Sequence, residues 1–439
     1  MGKTMSEKIL ARAAGVSEAS AGDILWVNVD MAMMDDILGP RVEIAEGLME
    51  FGDKVWDADK VAIISDHYTP PASVKQAEIV KFTREWAAMH GINNYYEFVG
   101  PCHQIMAEKG FVLPGTVVLG TDSHTCMGGA LGAFATGVGS TEMLGVLVTG
   151  QTWLRVPETI RVVWGGSLNA GVMAKDISLE TIREIGHAGA TYKAVEYVGE
   201  AISNLSVDER MAITNMAVEM GAKAGMMEYD DKAAGFLAGR TARTRDELAA
   251  CALNSDADAS FERTLVKDAS ALTPMVACPH SVDNVIRIED IEATKIDQAY
   301  LGSCTGGRYS DLKAAAEFVK GRRIAGGIRF LVSPASQETW ERASRDGILQ
   351  TLAEAGATIL APTCGVCVGL HSGLLGAGEV CISSSNRNFI GRMGSKEAEI
   401  YLASPLSVAT AALTGRITDP REVSAESGIC RTYTREENE

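Results

Sequence analysis

The sequence predicts a multidomain α/β protein, and three observations carry that expectation. Its 439 residues match about three domains at roughly 100–200 residues each. Short apolar runs that end in polar clusters alternate with stretches of helical period, a pattern met most simply by strands followed by helices. Glycine supplies 45 of the 439 residues, about a tenth against a usual ~7%, so the backbone makes many tight turns and close approaches.

Residues 3–14 read as a helix with Met5, Ile9, Leu10 and Ala13 on one face and Gly15 as its stop. Residues 24–30 read as a strand. Residues 61–64 and 117–120 are short buried strands that run into Ser65-Asp66-His67 and Thr121-Asp122-Ser123-His124. Both therefore deliver polar groups to a strand's C-terminal end, where open α/β sheets bind ligands. Residues 72–90 have helical character. The glycine-rich run at 128–145 lacks the spacing of a phosphate loop, and tight backbone packing accounts for it better. Helical patterns follow at 176–199 and 207–224, then a loop-like zone at 253–284 with a domain boundary near its end. From about 295 a second α/β pattern begins, with strands at 298–301 and 329–332 and helices at 309–320 and 336–355. No repeat of 20–50 residues and no low-complexity segment is visible.

Apolar residues at 46% and charged residues at 22% describe a globular chain with material for a large core. The net charge of −17 repels phosphate backbones and anionic membranes, which argues against nucleic-acid binding. The longest uncharged stretch, between Glu354 and Glu379, contains Pro362, His371 and six glycines and makes a poor spanning helix. With no apolar leader at the N-terminus, the expected compartment is the cytoplasm. Nine scattered cysteines argue for reduced thiols rather than a disulfide framework.

Cys364-Gly-Val-Cys367 is a C-x-x-C pair, and Cys304 lies 60 residues upstream in Gly302-Ser-Cys-Thr-Gly-Gly307. Alone, such thiols are buried and inert, a redox dithiol, or ligands of a metal or cluster. A four-cysteine zinc site normally shows a second C-x-x-C, and none is present. Asp66 and Asp122 by themselves read as turn or cap residues, His67 and His124 as structural histidines, and Arg387 and Arg392 as surface charges about as readily as ligand clamps. His90, His187 and His280 have no partner motif.

Taken together, these segments resemble the aconitase superfamily, in its large-subunit branch. The resemblance is carried by Leu119-Gly-Thr-Asp-Ser-His-Thr125, Gly302-Ser-Cys-Thr305, Pro362-Thr-Cys-Gly-Val-Cys367, Cys381-Ile-Ser-Ser-Ser-Asn-Arg-Asn-Phe-Ile-Gly-Arg-Met-Gly394 and Tyr401-Leu-Ala-Ser-Pro405, in the family's order. It implies a three-domain core of α/β/α layers around an iron–sulfur cluster, with domains at 1–160, 161–290 and 291–439. It implies a [4Fe–4S] cluster held by Cys304, Cys364 and Cys367, leaving one iron free to act as a Lewis acid. Asp66 with His67, His103, and Asp122 with His124 match acid–base pairs. Ser123, Asn386, Arg387 and Arg392 match the substrate-binding segments, where guanidinium forks take carboxylates. Asn215 and Glu219, spaced i and i+4 on a predicted helix, match a pair that faces the active site, with Glu219 in a catalytic role.

The implied activity is a hydro-lyase acting on a 2-hydroxy dicarboxylic acid. The leading substrate is 3-isopropylmalate, as in leucine biosynthesis; homocitrate-type acids, 2,3-dimethylmalate, citraconate and maleate are alternatives. A cluster protein that senses iron or binds RNA, and an electron-transfer subunit with four thiolate ligands, are rivals of other classes. The family's base is a serine on a mobile swivel domain, and the resemblance ends near residue 415, so a separate small subunit is the expected partner. Two departures stand out. Gly306 replaces the family's usual asparagine beside Cys304, and Met33-Met34-Asp35-Asp36-Ile37-Leu38-Gly39-Pro40 replaces a His- or Gln-bearing segment, with Asp35 or Asp36 the candidate acid there.

Overall fold

The computed structural model describes residues 2–427. Its first sheet is parallel throughout, in the order Asn94–Glu97, Val61–Ser65, Met31–Asp35, Val117–Gly120, Phe134–Gly137. The chain starts at the central strand, builds outward on one side, and returns to the other. The connections therefore part beyond the C-terminal ends of Met31–Asp35 and Val117–Gly120, leaving a crevice there.

A second parallel sheet runs Ala224–Met226, Ala194–Val198, Thr159–Gly165, Arg263–Asp268. The third has seven strands in the order Val285–Arg287, Met275–Ala277, Glu399–Ala403, Val380–Ser383, Gln298–Leu301, Arg329–Val332, Thr358–Ile359. Its last five are parallel, and the first two join as antiparallel neighbours. Its crevice opens between Gln298–Leu301 and Val380–Ser383, by the same chain reversal. A two-stranded antiparallel ribbon pairs Ile24–Asn28 with Gln151–Arg155.

The first helix, Met5–Ala14, is fixed at both ends: Thr4 and Glu7 form a capping box and Gly15 closes it at φ 69°. Its Met5, Ile9 and Leu10 pack in one core with Val27, Met34 and Val61. The helix expected at 72–90 is Val74–Met89, capped by Ser73.

Several expectations are corrected. The helix expected at 176–199 is Ala174–Ile185 only; Gly186, at φ 83°, ends it, and Ala194–Val198 is an inner strand. The pattern at 207–224 divides into the helix Val207–Asn215 and the 3₁₀ turn Met216–Met220. The single helix expected at 336–355 is two, Gln337–Arg345 and Ile348–Ala355, separated by Gly347 at φ 71°. The loop zone at 253–284 contains Arg263–Asp268, an edge strand whose side chains are alternately half-buried and exposed. Met31–Asp35 escaped notice because Met and Ala are weak strand formers; burial of all five residues decides it. No helix among the described residues is long and apolar enough to cross a membrane.

Candidate active site

The crevices of the first and third sheets face one cavity of about 250 Å³, lined in part by Asp35, His67, His103, Asp122, His124, Cys304, Cys364, Cys367, Arg387 and Arg392. Asp122 follows the strand Val117–Gly120 and caps the nine-residue 3₁₀ segment Ser123–Leu131, accepting the His124 N–H at 2.7 Å. That segment lies close on its neighbours because it is glycine-rich. A Cβ on Gly129 would stand 1.7 Å from the Gly225 carbonyl oxygen, which gives part of the glycine run its packing role.

Three imidazoles gather on Asp122. His103 Nε2 and His124 Nδ1 lie 3.0 and 3.2 Å from its Oδ1, and His67 Nε2 lies 3.6 Å from its Oδ2. Burial pushes the Asp122 carboxyl up, but His103, His124 and His67 outweigh it and hold the group well below the usual carboxylate range. His67 is pulled the other way. Burial lowers it, yet Asp66 at 2.7 Å from Nδ1, the Cys364 thiol and the Asp122 and Asp36 carboxylates hold it well above the ordinary histidine value. The sequence paired Asp122 with His124; the fold shares it with His103 and His67 as well.

Asp66 does not line the cavity. Its Oδ2 accepts the Cys102 N–H at 2.6 Å, and its carbonyl accepts the Cys364 N–H at 3.1 Å and the Thr363 hydroxyl at 2.7 Å. One residue thus fastens His67 to the C-x-x-C loop. Asn215 and Glu219 also stand behind the lining. Asn215 Nδ2 donates to Cys304 Sγ at 3.1 Å. Glu219 Oε1 lies 2.8 Å from His124 Nε2 and accepts from Arg387 Nε at 2.9 Å, while Arg387 Nη2 donates to Ser123 Oγ at 3.0 Å. Burial raises the Glu219 carboxyl, but His124 and Arg387 together bring it below its ordinary value. The i, i+4 relation holds across a helix end rather than within one helix, since Asn215 is the last helical residue and Glu219 sits in the 3₁₀ turn.

The three cysteines are buried and unpaired, as are the other described cysteines unpaired; Cys430 lies outside the described residues. Ser303, a non-glycine residue at φ 69°, turns the backbone immediately before Cys304. Asn386 bridges the thiols: its Oδ1 accepts from Cys367 Sγ at 3.4 Å and its Nδ2 lies 3.9 Å from Cys304 Sγ. Burial pushes the Cys304 thiol up to about 12, so metal binding here releases protons. Three cavity-lining thiols with amide donors beside them, and no fourth cysteine among the lining residues, fit an iron–sulfur cluster with one iron left free of protein. Arg392 adds a second sign of an absent ligand, because its Nε is buried with no partner among the described residues.

Gly306 has a steric reason. A Cβ there would lie 2.4 Å from both Cβ and Oγ of Ser384. Ser384 Oγ accepts the Gly302 N–H at 2.9 Å and joins the two sides of the third sheet's crevice, while the amides near Cys304 come from Asn215 and Asn386. Of the two candidate acids, Asp35 lines the cavity, and Asp36 turns away to accept the N–H groups of His67 and Tyr68 at 3.0 and 2.9 Å.

Sequence reasoning missed Lys175. Its buried ammonium donates to the carbonyls of Ser384 and Ser385 at 2.7 and 2.6 Å, just before Asn386. Burial lowers it to about 8, against the opposing pull of Cys367, Asp311 and Cys304. The adjacent charges Lys175-Asp176 near the start of an amphipathic helix were the available signal, and the fold buries both.

The model of the aconitase family (aconitate hydratase) matches residues 7–415. A 3-isopropylmalate dehydratase large subunit 1 from Methanopyrus kandleri is 50% identical over 96% of this chain and 99% of its own length. A probable methanogen homoaconitase large subunit from Methanothermobacter thermautotrophicus is 45% identical over 95% of this chain and 97% of its own. A 3-isopropylmalate dehydratase large subunit 1 from Archaeoglobus fulgidus is 45% identical over 96% of this chain and the whole of its own. With the family model spanning the site's cysteines, histidines and arginines, the chain belongs to the aconitase family.

Proposed function

We propose that this chain is the cluster-bearing large subunit of a hydro-lyase that dehydrates and rehydrates a 2-hydroxy dicarboxylic acid, 3-isopropylmalate first among them. The observation that carries it is a single cavity in which three thiols, an imidazole–carboxylate cluster and two arginines meet. When bound through Cys304, Cys364 and Cys367, a [4Fe–4S] cluster supplies a Lewis-acidic iron for the substrate's hydroxyl oxygen.

The chain's own groups do the rest. Arg392, with its unpaired Nε, and Arg387, held in place by Glu219 and Ser123, receive the two carboxylates. Asp66 orients His67 through Nδ1, leaving its raised-pKa imidazolium to give the Nε2 proton to the departing hydroxyl. Asp122 stays anionic and orients the surrounding imidazoles by accepting from them. Removal of the proton beside a carboxylate falls to a serine on a small subunit that carries the mobile swivel domain, in keeping with the "large subunit" names of the relatives. Three sheets support three folding units, expected near 1–160, 161–290 and 291–439, with the second boundary drawn back before Met275 because Met275–Ala277 and Val285–Arg287 belong to the third sheet. The homoaconitase-named relative favours a second reading, a homocitrate-type substrate.

Anaerobic reconstitution with iron and sulfide, followed by an absorbance assay for unsaturated diacid with candidate small subunits, tests the proposal. Cys304→Ser, Cys364→Ser and Cys367→Ser each abolish the brown colour and turnover. Full colour and activity in Cys367→Ser overturn it.

A further inference from the structure

We infer that Ile37 and Leu38 form an apolar subsite that receives a branched alkyl substituent of the substrate, an inference that rests on the hydro-lyase reading above. Both side chains line the cavity together with Val368, amid lining groups that are otherwise mostly charged or polar. Leu38 is 43% exposed, so a large apolar side chain faces the opening of a charged site.

The loop that presents them is tightly fixed. Asp35 Oδ1 accepts the N–H groups of Ile37 and Leu38 at 2.6 and 2.9 Å, and its Oδ2 accepts the Thr121 hydroxyl at 2.8 Å. Arg41 Nη1 donates to the Ile37 carbonyl at 2.9 Å. A Cβ on Gly39 would lie 1.9 Å from the Asp35 carbonyl oxygen, so the turn closes on glycine. The two acids of the segment are thereby spent on backbone and hydroxyl donors, Asp36 by binding His67 and Tyr68. Asp35 lines the cavity with both oxygens already engaged, and beside it the segment presents two branched hydrocarbon chains to a ligand.

A substituent that ends in a carboxylate loses hydration beside these chains and finds no donor on them. A branched alkyl group buries its surface there instead. The structure thus assigns part of the substrate choice to the large chain, and favours alkyl-substituted malates over acids with an extra carboxylate arm.

The test is the ratio of kcat/KM for hydration of isopropylmaleate to that of unsubstituted maleate, measured on the reconstituted two-subunit enzyme. One methylene in an apolar pocket is worth roughly 10–200-fold in kcat/KM, so Leu38→Ala lowers the ratio by about tenfold or more. Ile37→Val, a smaller truncation, lowers it by less and in the same direction. Hydration of both substrates with the ratio unchanged in both variants overturns this subsite alone. Hydration of no diacid by the unaltered enzyme overturns the functional reading and the subsite with it.

Discussion

The side-chain amide of Asn215 donates to the sulfur of Cys304 at 3.1 Å, joining residues 89 positions apart in the chain. A hydrogen bond to sulfur stabilises its thiolate, and such outer partners typically govern ~10–100-fold in metal affinity. Asn215→Ala is expected to load with cluster and then lose it faster. The loss of brown absorbance on exposure to chelator, timed against the unaltered chain, checks this; equal decay rates refute it.

Asp122 is the anion around which three imidazoles assemble. Asp122→Asn keeps the shape and removes the charge, so turnover should fall about 10²–10⁴-fold, the usual worth of a positioned acid–base group. The His67 imidazole should also titrate at lower pH, because one of the carboxylates raising it is gone. NMR titration of the histidine ring protons measures that shift, and an unmoved titration contradicts the arrangement.

Asp176 makes stability depend on pH. Its oxygens accept the N–H groups of Met173 and Met275, both at 2.8 Å, but burial dominates and raises its carboxyl to about 7. A raised acid binds more protons when folded, so its contribution is complete below the unfolded value near 4 and is lost as pH rises towards 7. The slope is at most about 1.4 kcal/mol per pH unit. Denaturant unfolding of Asp176→Asn across that window should show the variant gaining on the unaltered chain as pH rises. A pH-independent difference rules this out.

Gly306 admits no side chain, because Ser384 occupies the space. Gly306→Ala should cost about 1–3 kcal/mol from overpacking, and adding Ser384→Gly should recover part of it. Thermal melts of the single and double variants decide the matter, and a neutral Gly306→Ala removes the steric explanation.

How much was legible beforehand varies with the physics involved. The helix Met5–Ala14 was read to within two residues at its start and to the residue at its end before Gly15, because capping and periodicity are local signals. Ala194–Val198 was misread as helix, because its neighbours in the sheet, Thr159–Gly165 and Ala224–Met226, are distant in sequence. Gly347 breaks the helical pattern at 336–355 through its left-handed backbone, which side-chain periodicity does not register. At the site, the motifs named Cys304, Cys364, Cys367 and the histidines, whereas the adjacent charges Lys175-Asp176 hint at an unusual helix start without placing the ammonium beneath Ser384 and Ser385, 209 and 210 positions away.

By itself the sequence determined the inventory: which strands end in chemically useful side chains, which thiols are spaced to bind together, and which family's motifs appear in order. Only the tertiary structure decided the assignments. It gave Asp122 to three imidazoles, withdrew Asp36 into a backbone cap, and turned Ile37 and Leu38 towards the cavity. The reason is that ligand sites in open parallel sheets form where the chain reverses its direction of build-up. Two such reversals, from strands nearly 300 residues apart in places, must meet before any of these side chains acquires its partner.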